Sequence, residues 1–257
     1  MIKLKDGDIK AVYASIDGKA RLVKNIFYGV GGKAITLYAH PLLLSRLDGE
    51  VKMLAGETLG NNSPSYIDNT LDGLGKVASF TGNEYVAYKL PFSLTTQKQY
   101  TVEGWFNFTN ISTNRNIFLI GANDLKDNGN FALRLYRAPS GTVGLACFSG
   151  TGSGGGFYTR FTSSVALSGN KWHHLALEID MTGNKASFYV GGVKYAFTQA
   201  VQPNSWLGAS NKANADRLYI GTPTTFQQQA SYTQRQALNF IGYVHSVQIT
   251  EGLYYNK

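Results

Sequence analysis

Three segments of the sequence combine aromatic rings with amide, hydroxyl and glycine residues, and this is the mixture that carbohydrate recognition uses. A flat ring stacks on the sugar, and a few amide or hydroxyl groups fix its orientation. The segments span residues 149–158, 202–216 and 222–239. They supply the candidate glycan-binding residues Phe157, Tyr158, Trp206 and Phe226. Each ring has an alternative role as a cover for a sheet edge, so these residues are a hypothesis about binding.

The glycine-rich string GTGSGGG carries no sign of nucleophilic or phosphate-binding chemistry. Ser153 is not part of a Gly-x-Ser-x-Gly elbow before a helix, and no Lys-Ser or Lys-Thr follows as in a phosphate loop. The pattern predicts a flexible, linker-like loop.

Composition predicts an all-β protein. Charged residues are 16% of the 257 residues, against about 25% in ordinary domains, and 29 glycines with many aromatics favour strands and turns. The single cysteine, Cys147, cannot form an intrachain disulfide, and its setting Leu-Ala-Cys-Phe predicts a buried thiol on a strand.

The net charge is +8. Half of this positive excess lies in residues 1–38, which hold seven bases and three acids. No run of consecutive bases occurs, so we expect a solvated basic face and no nucleic-acid partner. No apolar stretch approaches the roughly 20 residues of a membrane helix, and the start MIKLKDGDIK has no apolar core of a signal peptide. We therefore expect neither membrane insertion nor a signal peptide.

An internal repeat of 14 residues opens the chain, with residues 10–22 lying over residues 24–36. Each copy has a β-rich stretch, a turn at Asp17-Gly18 or Gly31-Gly32, and a return stretch, which indicates a hairpin. Near residue 39 the repeat ends and longer apolar runs begin. The sequence thus predicts an N-terminal segment of two hairpins, residues 1–38, and a second domain, residues 39–257.

From residue 76 onward, short alternating strands separated by Gly, Asn and Asp turns predict an antiparallel β-sandwich. The sequence predicts no long helix, because even the best candidate, residues 46–55, contains Gly49. In the segment 101–106, large apolar residues fall on both faces, which predicts an inner strand with Trp105 and Trp172 as core anchors. His173 and His174 point to opposite faces of a strand and cannot share one metal ion.

An ordered series of motifs runs through the second domain. The motifs are LLLSRLDG (42–49), VASFTGNEYVAY (77–88), YTVEGWFNF (100–108), KWHHLALEID (171–180), ASFYVGGV (186–193), LYIG (218–221) and FIGYVHSVQITEGLYY (240–255). Their order resembles the laminin-G-like, concanavalin A-like lectin family over about residues 40–257. The resemblance implies a jelly-roll sandwich and a carbohydrate ligand.

The same family includes glucanases, whose catalytic strand carries Glu, Asp and a second Glu so that nucleophile and acid lie about 5 Å apart. The nearest string here is Glu178-Ile179-Asp180-Met181-Thr182-Gly183, which lacks the second Glu. No alginate-lyase-like motif is visible either. We expect no enzymatic activity.

Calcium is the usual metal of the family, and Asp48, Asp124, Asp127 and Asp216 are the possible rim donors. The sequence has Val244-His245-Ser246 where an acidic pair often stands in the family. This departure disfavours calcium, and we expect no bound metal or cofactor.

The N-terminal repeat has its own resemblance, carried by YGVGGKA (28–34) and GKAR (18–21). Such stretches resemble the front of tailed-phage structural proteins. The resemblance implies a virion protein, made in the host cytoplasm, that is attached to capsid or tail proteins through residues 1–38. Its sandwich would face a host surface polysaccharide, and a homo-oligomer is compatible with this role. The alternatives are a bacterial extracellular glycan-binding or adhesin module and a polysaccharide-degrading enzyme.

Overall fold

Burial alternates along the strands as the sequence predicts. In the computed structural model, Val102 and Phe106 are fully buried, whereas Glu103 and Trp105 between them are half-buried. The structure describes residues 13–16, 19–22, 25–30, 33–39, 43–47, 51–55, 57–62, 64–68, 76–90, 99–109, 115–121, 132–151, 155–180, 182, 185–201, 216–221 and 240–252. Every regular element in these ranges is a strand, so the all-β prediction is confirmed. Within the same ranges, no helix has the length and hydropathy that a membrane span requires.

The chain divides into two compact units, Met1–Pro41 and Leu42–Lys257. The first unit contains Tyr13–Ile16 (β1), Lys19–Leu22 (β2), Asn25–Val30 (β3) and Lys33–Ala39 (β4). β1 pairs with β2 and β3 pairs with β4, each antiparallel and each forming a separate two-stranded sheet. The predicted pair of hairpins is therefore present, with the pairs Ile16↔Lys19 and Val30↔Lys33 beside the predicted turns.

The described residues of the second unit form seventeen strands. They are Leu43–Leu47 (β5), Val51–Ala55 (β6), Glu57–Asn62 (β7), Ser65–Asp68 (β8), Lys76–Phe80 (β9), Tyr85–Lys89 (β10), Gln99–Phe108 (β11), Arg115–Gly121 (β12), Ala132–Arg137 (β13), Thr142–Thr151 (β14), Gly155–Ala166 (β15), Trp172–Asp180 (β16), Lys185–Val190 (β17), Val193–Tyr195 (β18), Phe197–Val201 (β19), Arg217–Gly221 (β20) and Gly242–Glu251 (β21). The weak helix candidate near Gly49 is thus replaced by β5 and β6.

Two antiparallel sheets share the core of this unit. The eight-stranded sheet has the order β19-β15-β14-β13-β12-β20-β10-β7, and the nine-stranded sheet has the path β18-β17-β16-β11-β21-β5-β6 with β8 and β9 attached beside β21. Both sheets contribute to one apolar cluster, for example Val102 and Leu177 from the second sheet and Leu133 and Ile220 from the first. This arrangement confirms the predicted jelly-roll sandwich.

The predicted role of Trp105 and Trp172 as core anchors is wrong, because both are half-buried on the outward face of the nine-stranded sheet. Side chains alternate along a strand, and the core positions of β11 are taken by residues of the opposite parity, such as Val102 and Phe106. The prediction for the two adjacent histidines is confirmed. The ring of His174 lies 5.2 Å from Trp105 on the outward face, whereas the ring of His173 lies 6.4 Å from the buried Phe108.

The glycine-rich segment that the sequence assigns to a loop is mostly paired strand. Ser149, Gly150 and Thr151 at the end of β14 pair with Phe157, Gly156 and Gly155 at the start of β15. The pairing continues the register of the apolar parts of both strands, and glycine weakens a strand without preventing it. Cys147 lies in β14 as predicted, but its side chain lies outside what the structure describes.

A tight turn at residues 81–84 connects β9 in one sheet to β10 in the other. The Glu84 carboxylate closes it, with Oε2 accepting from the backbone N–H of Thr81 at 2.6 Å and of Gly82 at 3.1 Å. Oε1 accepts from the Thr81 hydroxyl at 2.8 Å. Partial burial acts to raise the pKa of Glu84, but these hydrogen bonds outweigh it and hold the pKa below its ordinary value.

Candidate functional site

The outward face of the eight-stranded sheet carries basic and aromatic side chains on β10, β20 and β13. Along β10, β13 and β20, alternate residues enter the core, and the residues between them project outward. We call this outward set the basic face, and it comprises Tyr85, Lys89, Arg134, Tyr136, Arg217 and Tyr219. Lys89 pairs with Arg217 and Ala87 pairs with Tyr219 across β10 and β20, and β12 lies between β20 and β13, the strand of Arg134 and Tyr136.

Arg134 and Tyr136 form the floor of the basic face. The guanidinium carbon of Arg134 lies 4.9 Å from the centroid of the Tyr136 ring, and the two residues are 9% and 2% exposed. Tyr136 pairs across the strands with Gly144. A Cβ atom at Gly144 would lie 2.2 Å from the Cζ atom of Tyr136, so the ring lies flat on the glycine backbone. This packing fixes the ring and, through it, the guanidinium group.

Tyr85, Lys89 and Arg217 form the accessible rim. Lys89 is exposed, Tyr85 is half-buried, and the side chain of Arg217 is 24% exposed. Burial raises the pKa of Tyr219 to about 12, and its interaction with Arg217 acts in the opposite direction. The Arg217 Nε atom lies 3.7 Å from Asp216 Oδ1, which keeps a carboxylate at the end of the face.

The charges of the basic face favour an anionic ligand. The described side chains include the cations Lys89, Arg134 and Arg217 and the carboxylate of Asp216, so cations outnumber acids. A guanidinium group can bind a carboxylate or sulfate through two parallel hydrogen bonds, and the partly exposed ring of Tyr85 can stack on a sugar. The face can therefore bind and orient an acidic saccharide.

The residues that the sequence nominates for binding fall partly outside the described ranges. Trp206 and Phe226 lie outside the described residues. Phe157 and Tyr158 lie in β15, where only the backbone is described. Tyr158 is in register with Phe148, which pairs with Ala132 of β13, two residues from Arg134. Position 158 thus belongs to the same face of the sheet as Arg134, and position 157 belongs to the opposite face.

The sequence did not nominate the strand residues of the basic face, although a signal for them is present. In LRLYR (133–137), two leucines at alternate positions predict the core face, and Arg134 and Tyr136 between them must then project outward. A prediction based on the composition of loops does not include such strand residues.

Glu178, the residue considered for hydrolysis, has a structural role. It is 1% exposed, and one carboxylate oxygen accepts a hydrogen bond from the Tyr189 hydroxyl at 2.7 Å. Burial and this carboxylate raise the pKa of Tyr189. A shielded carboxylate cannot reach a glycosidic bond, so the geometry offers no nucleophile at this position.

Metal binding receives no support from the described part of the chain, where no group of three or more His, Cys, Asp or Glu side chains could hold an ion. Of the possible calcium donors, Asp216 lies beside Arg217. Asp48, Asp124 and Asp127 lie outside the described residues.

Comparison with known proteins agrees with the fold. The family model described as the concanavalin A-like lectin/glucanases superfamily matches residues 80–249, more than half of the chain. No curated protein sequence matches the chain. Among solved structures, the CBM40 module of the Ruminococcus gnavus IT-sialidase is 17% identical with a TM-score of 0.50, over 69% of this chain and 90% of the module. The Trypanosoma rangeli sialidase in complex with sialic acid is 11% identical with a TM-score of 0.55, over 88% of this chain and 33% of that protein. At such identities the likeness shows the fold alone.

Proposed function

The chain belongs to the concanavalin A-like lectin/glucanase superfamily, and from this premise we propose that its second unit is a carbohydrate-binding domain for an acidic glycan. The observation that carries the proposal is the basic face, where Arg134 is fixed against Tyr136 and where the exposed Lys89 and the partly exposed Arg217 pair across β10 and β20. The Trypanosoma rangeli sialidase, whose fold is similar, was solved in complex with sialic acid, which is an acidic sugar.

We propose that the domain binds its ligand without cleaving it. Hydrolysis by a glucanase requires a nucleophile and an acid flanking the scissile bond. Glu178 is shielded from solvent and accepts a hydrogen bond from Tyr189. The sequence also lacks the second Glu of the glucanase string. A solution of the protein should therefore release no reducing ends from β-glucan or alginate. Turnover that disappears in Glu178→Gln would overturn this part of the proposal.

We propose further that the whole chain is a structural protein of a phage particle, attached by residues 1–38 as a capsid decoration or as part of a tail or fibre. The support for this role is the 14-residue repeat and its resemblance to the front of tailed-phage proteins. Two small hairpins bury little surface by themselves, which suits a segment that packs against a partner. Co-purification of the protein with phage particles tests the role, and its persistent absence from purified particles would contradict it.

A bacterial extracellular adhesin module remains the alternative, and both roles use the same binding face. Many copies on one particle or cell need only weak single-site affinity, because multivalent attachment raises avidity by about 10² to 10⁴. The test should therefore begin with multivalent display.

The binding test uses the full chain displayed on beads. We expect adhesion to surfaces coated with alginate, polygalacturonate or sialylated glycan, and weaker adhesion in Lys89→Gln and Arg217→Gln. The loop hypothesis is tested in parallel with Trp206→Ala, Phe157→Ala, Tyr158→Ala and Phe226→Ala. The exposed Lys171→Gln is the matched charge control. If the charge variants adhere as well as the control does, the basic face is not the binding site.

A further inference from the structure

A second cluster of aromatic and polar side chains lies on the outward face of the nine-stranded sheet, away from the basic face. It spans the adjacent strands β16, β11 and β21. We call it the tryptophan face, and it comprises Glu103, Trp105, Trp172, His174, Tyr243 and Gln248. All six residues are half-buried, and none takes part in the core cluster.

Glu103 links the three strands of this face. Its Oε2 atom lies 3.2 Å from Nε2 of His174 on β16, and its Oε1 atom accepts a short hydrogen bond from the amide of Gln248 on β21. The ring of His174 lies 5.2 Å from the ring of Trp105 at an interplanar angle of 53°. The carboxylate therefore holds His174 in place, and His174 holds one side of the indole.

A β-bulge in β21 lies opposite Trp105. The register between β11 and β21 shifts between Gly104 and Phe106, directly at the tryptophan. A Cβ atom at Gly104 would lie 2.4 Å from the carbonyl oxygen of Ser246, so the close approach of the two backbones requires glycine. Here the bulge lies beneath a half-buried indole that the hydrophobic core does not use.

An unpaired donor and an unpaired acceptor lie at one end of the face. Asn107 pairs across the strands with Trp172, and Asn107 is 5% exposed. In the described part of the chain, neither the Asn107 Oδ1 atom nor the Trp172 Nε1 atom has a hydrogen-bond partner, and both are shielded from solvent. Leaving such atoms unpaired costs about 1–3 kcal/mol each. A sugar hydroxyl offers both of the missing partners, since it donates once and accepts twice.

We propose that the tryptophan face is a second saccharide site and that it takes a neutral sugar. The indole of Trp105 offers a stacking surface for the C–H face of a pyranose, and the amide and imidazole groups beside it match sugar hydroxyls. The fixed carboxylate of Glu103 disfavours an acidic sugar at this position, in contrast to the basic face. Because the two faces belong to the outer sides of opposite sheets, one domain can hold two different glycan segments at once.

The test compares neutral and acidic ligands on the full chain. Neutral oligosaccharides of glucose, galactose, mannose and N-acetylglucosamine are titrated by isothermal calorimetry, and sialyllactose and oligogalacturonate serve as the acidic ligands. We expect Trp105→Ala to weaken neutral binding by about tenfold, the scale of a lost aromatic contact, and to leave acidic binding unchanged. Trp105→Phe should retain most of the neutral affinity, and Arg217→Gln should show the reverse pattern.

Three results would overturn the second site. The first is the absence of binding by every neutral sugar in the panel. The second is neutral binding that survives in Trp105→Ala. The third is a concentration-dependent self-association that Trp105→Ala abolishes, because the face would then be a contact between copies. Loss of acidic binding alone would contradict the proposed function and leave the second site standing.

Discussion

Arg134 and Tyr136 lie two residues apart on β13, and the guanidinium carbon of the first lies 4.9 Å from the ring centroid of the second. The arrangement depends on Gly144 across the strand pair, which lets the Tyr136 ring lie flat on the sheet. The guanidinium group of Arg134, which is 9% exposed, is thereby held in a defined place on β13.

We expect Gly144→Ala to destabilise the protein, because the new Cβ atom would lie 2.2 Å from Tyr136 Cζ and the ring would have to move. Overpacking of this kind costs about 1–3 kcal/mol in the free energy of unfolding, measured by urea denaturation. The double variant Gly144→Ala/Tyr136→Ala removes the clash. The double variant should lose less free energy of unfolding than the sum of the losses in Gly144→Ala and Tyr136→Ala. Losses that simply add would show that the ring and the glycine do not interact.

We expect the stability of the protein to fall at acid pH, because the Glu84 carboxylate closes the turn at residues 81–84. The folded pKa of Glu84 is below its ordinary value of 4.5, so its contribution is complete above that value and is lost as the pH falls through the lowered pKa. Thermal unfolding should therefore show a melting temperature that falls on the acid side. In Glu84→Gln we expect a lower melting temperature at neutral pH and a flatter acid limb. An acid limb of unchanged steepness in the variant would contradict this role.

We predict that the sandwich folds without the N-terminal segment. A chain that starts at residue 40 tests this prediction. The second unit has both sheets and the apolar cluster, so the shortened protein should stay soluble and melt in one cooperative transition. The measurement is calorimetry on the short and the full chains. Aggregation of the short chain, with recovery when residues 1–39 are restored, would show that the repeat belongs to the core of the sandwich.

The sequence predicts the architecture well, because the burial pattern of a two-sheet sandwich is local. Alternating runs such as YVAYKL and LRLYR mark strands by themselves, and the turns between them carry Gly, Asn and Asp. The same local reasoning is insufficient for Trp105 and Trp172. Both are large and apolar, but their parity along β11 and β16 places them outward, and only the pairing of the strands reveals that.

The site is harder to predict because it is assembled across strands that are distant in sequence. Tyr85, Arg134 and Arg217 lie on β10, β13 and β20, and the strand order that brings them together is a property of the topology. The hypothesis of a loop site at Trp206 and Phe226 stays a prediction. Of the two nominated positions with a described backbone, 157 and 158, strand register assigns position 158 to the same face as Arg134.

The most direct test of the acidic-glycan proposal is an equilibrium titration of the full chain with an oligogalacturonate and with the same oligosaccharide after reduction of its carboxyl groups. Binding through the basic face predicts that the acidic form binds, that the reduced form binds at least about tenfold more weakly, and that added salt weakens only the acidic form. Lys89→Gln and Arg217→Gln should each lower the affinity for the acidic form, while Lys171→Gln leaves it unchanged. Equal binding of the acidic and reduced oligosaccharides, or acidic binding that is insensitive to both charge variants, would contradict the account.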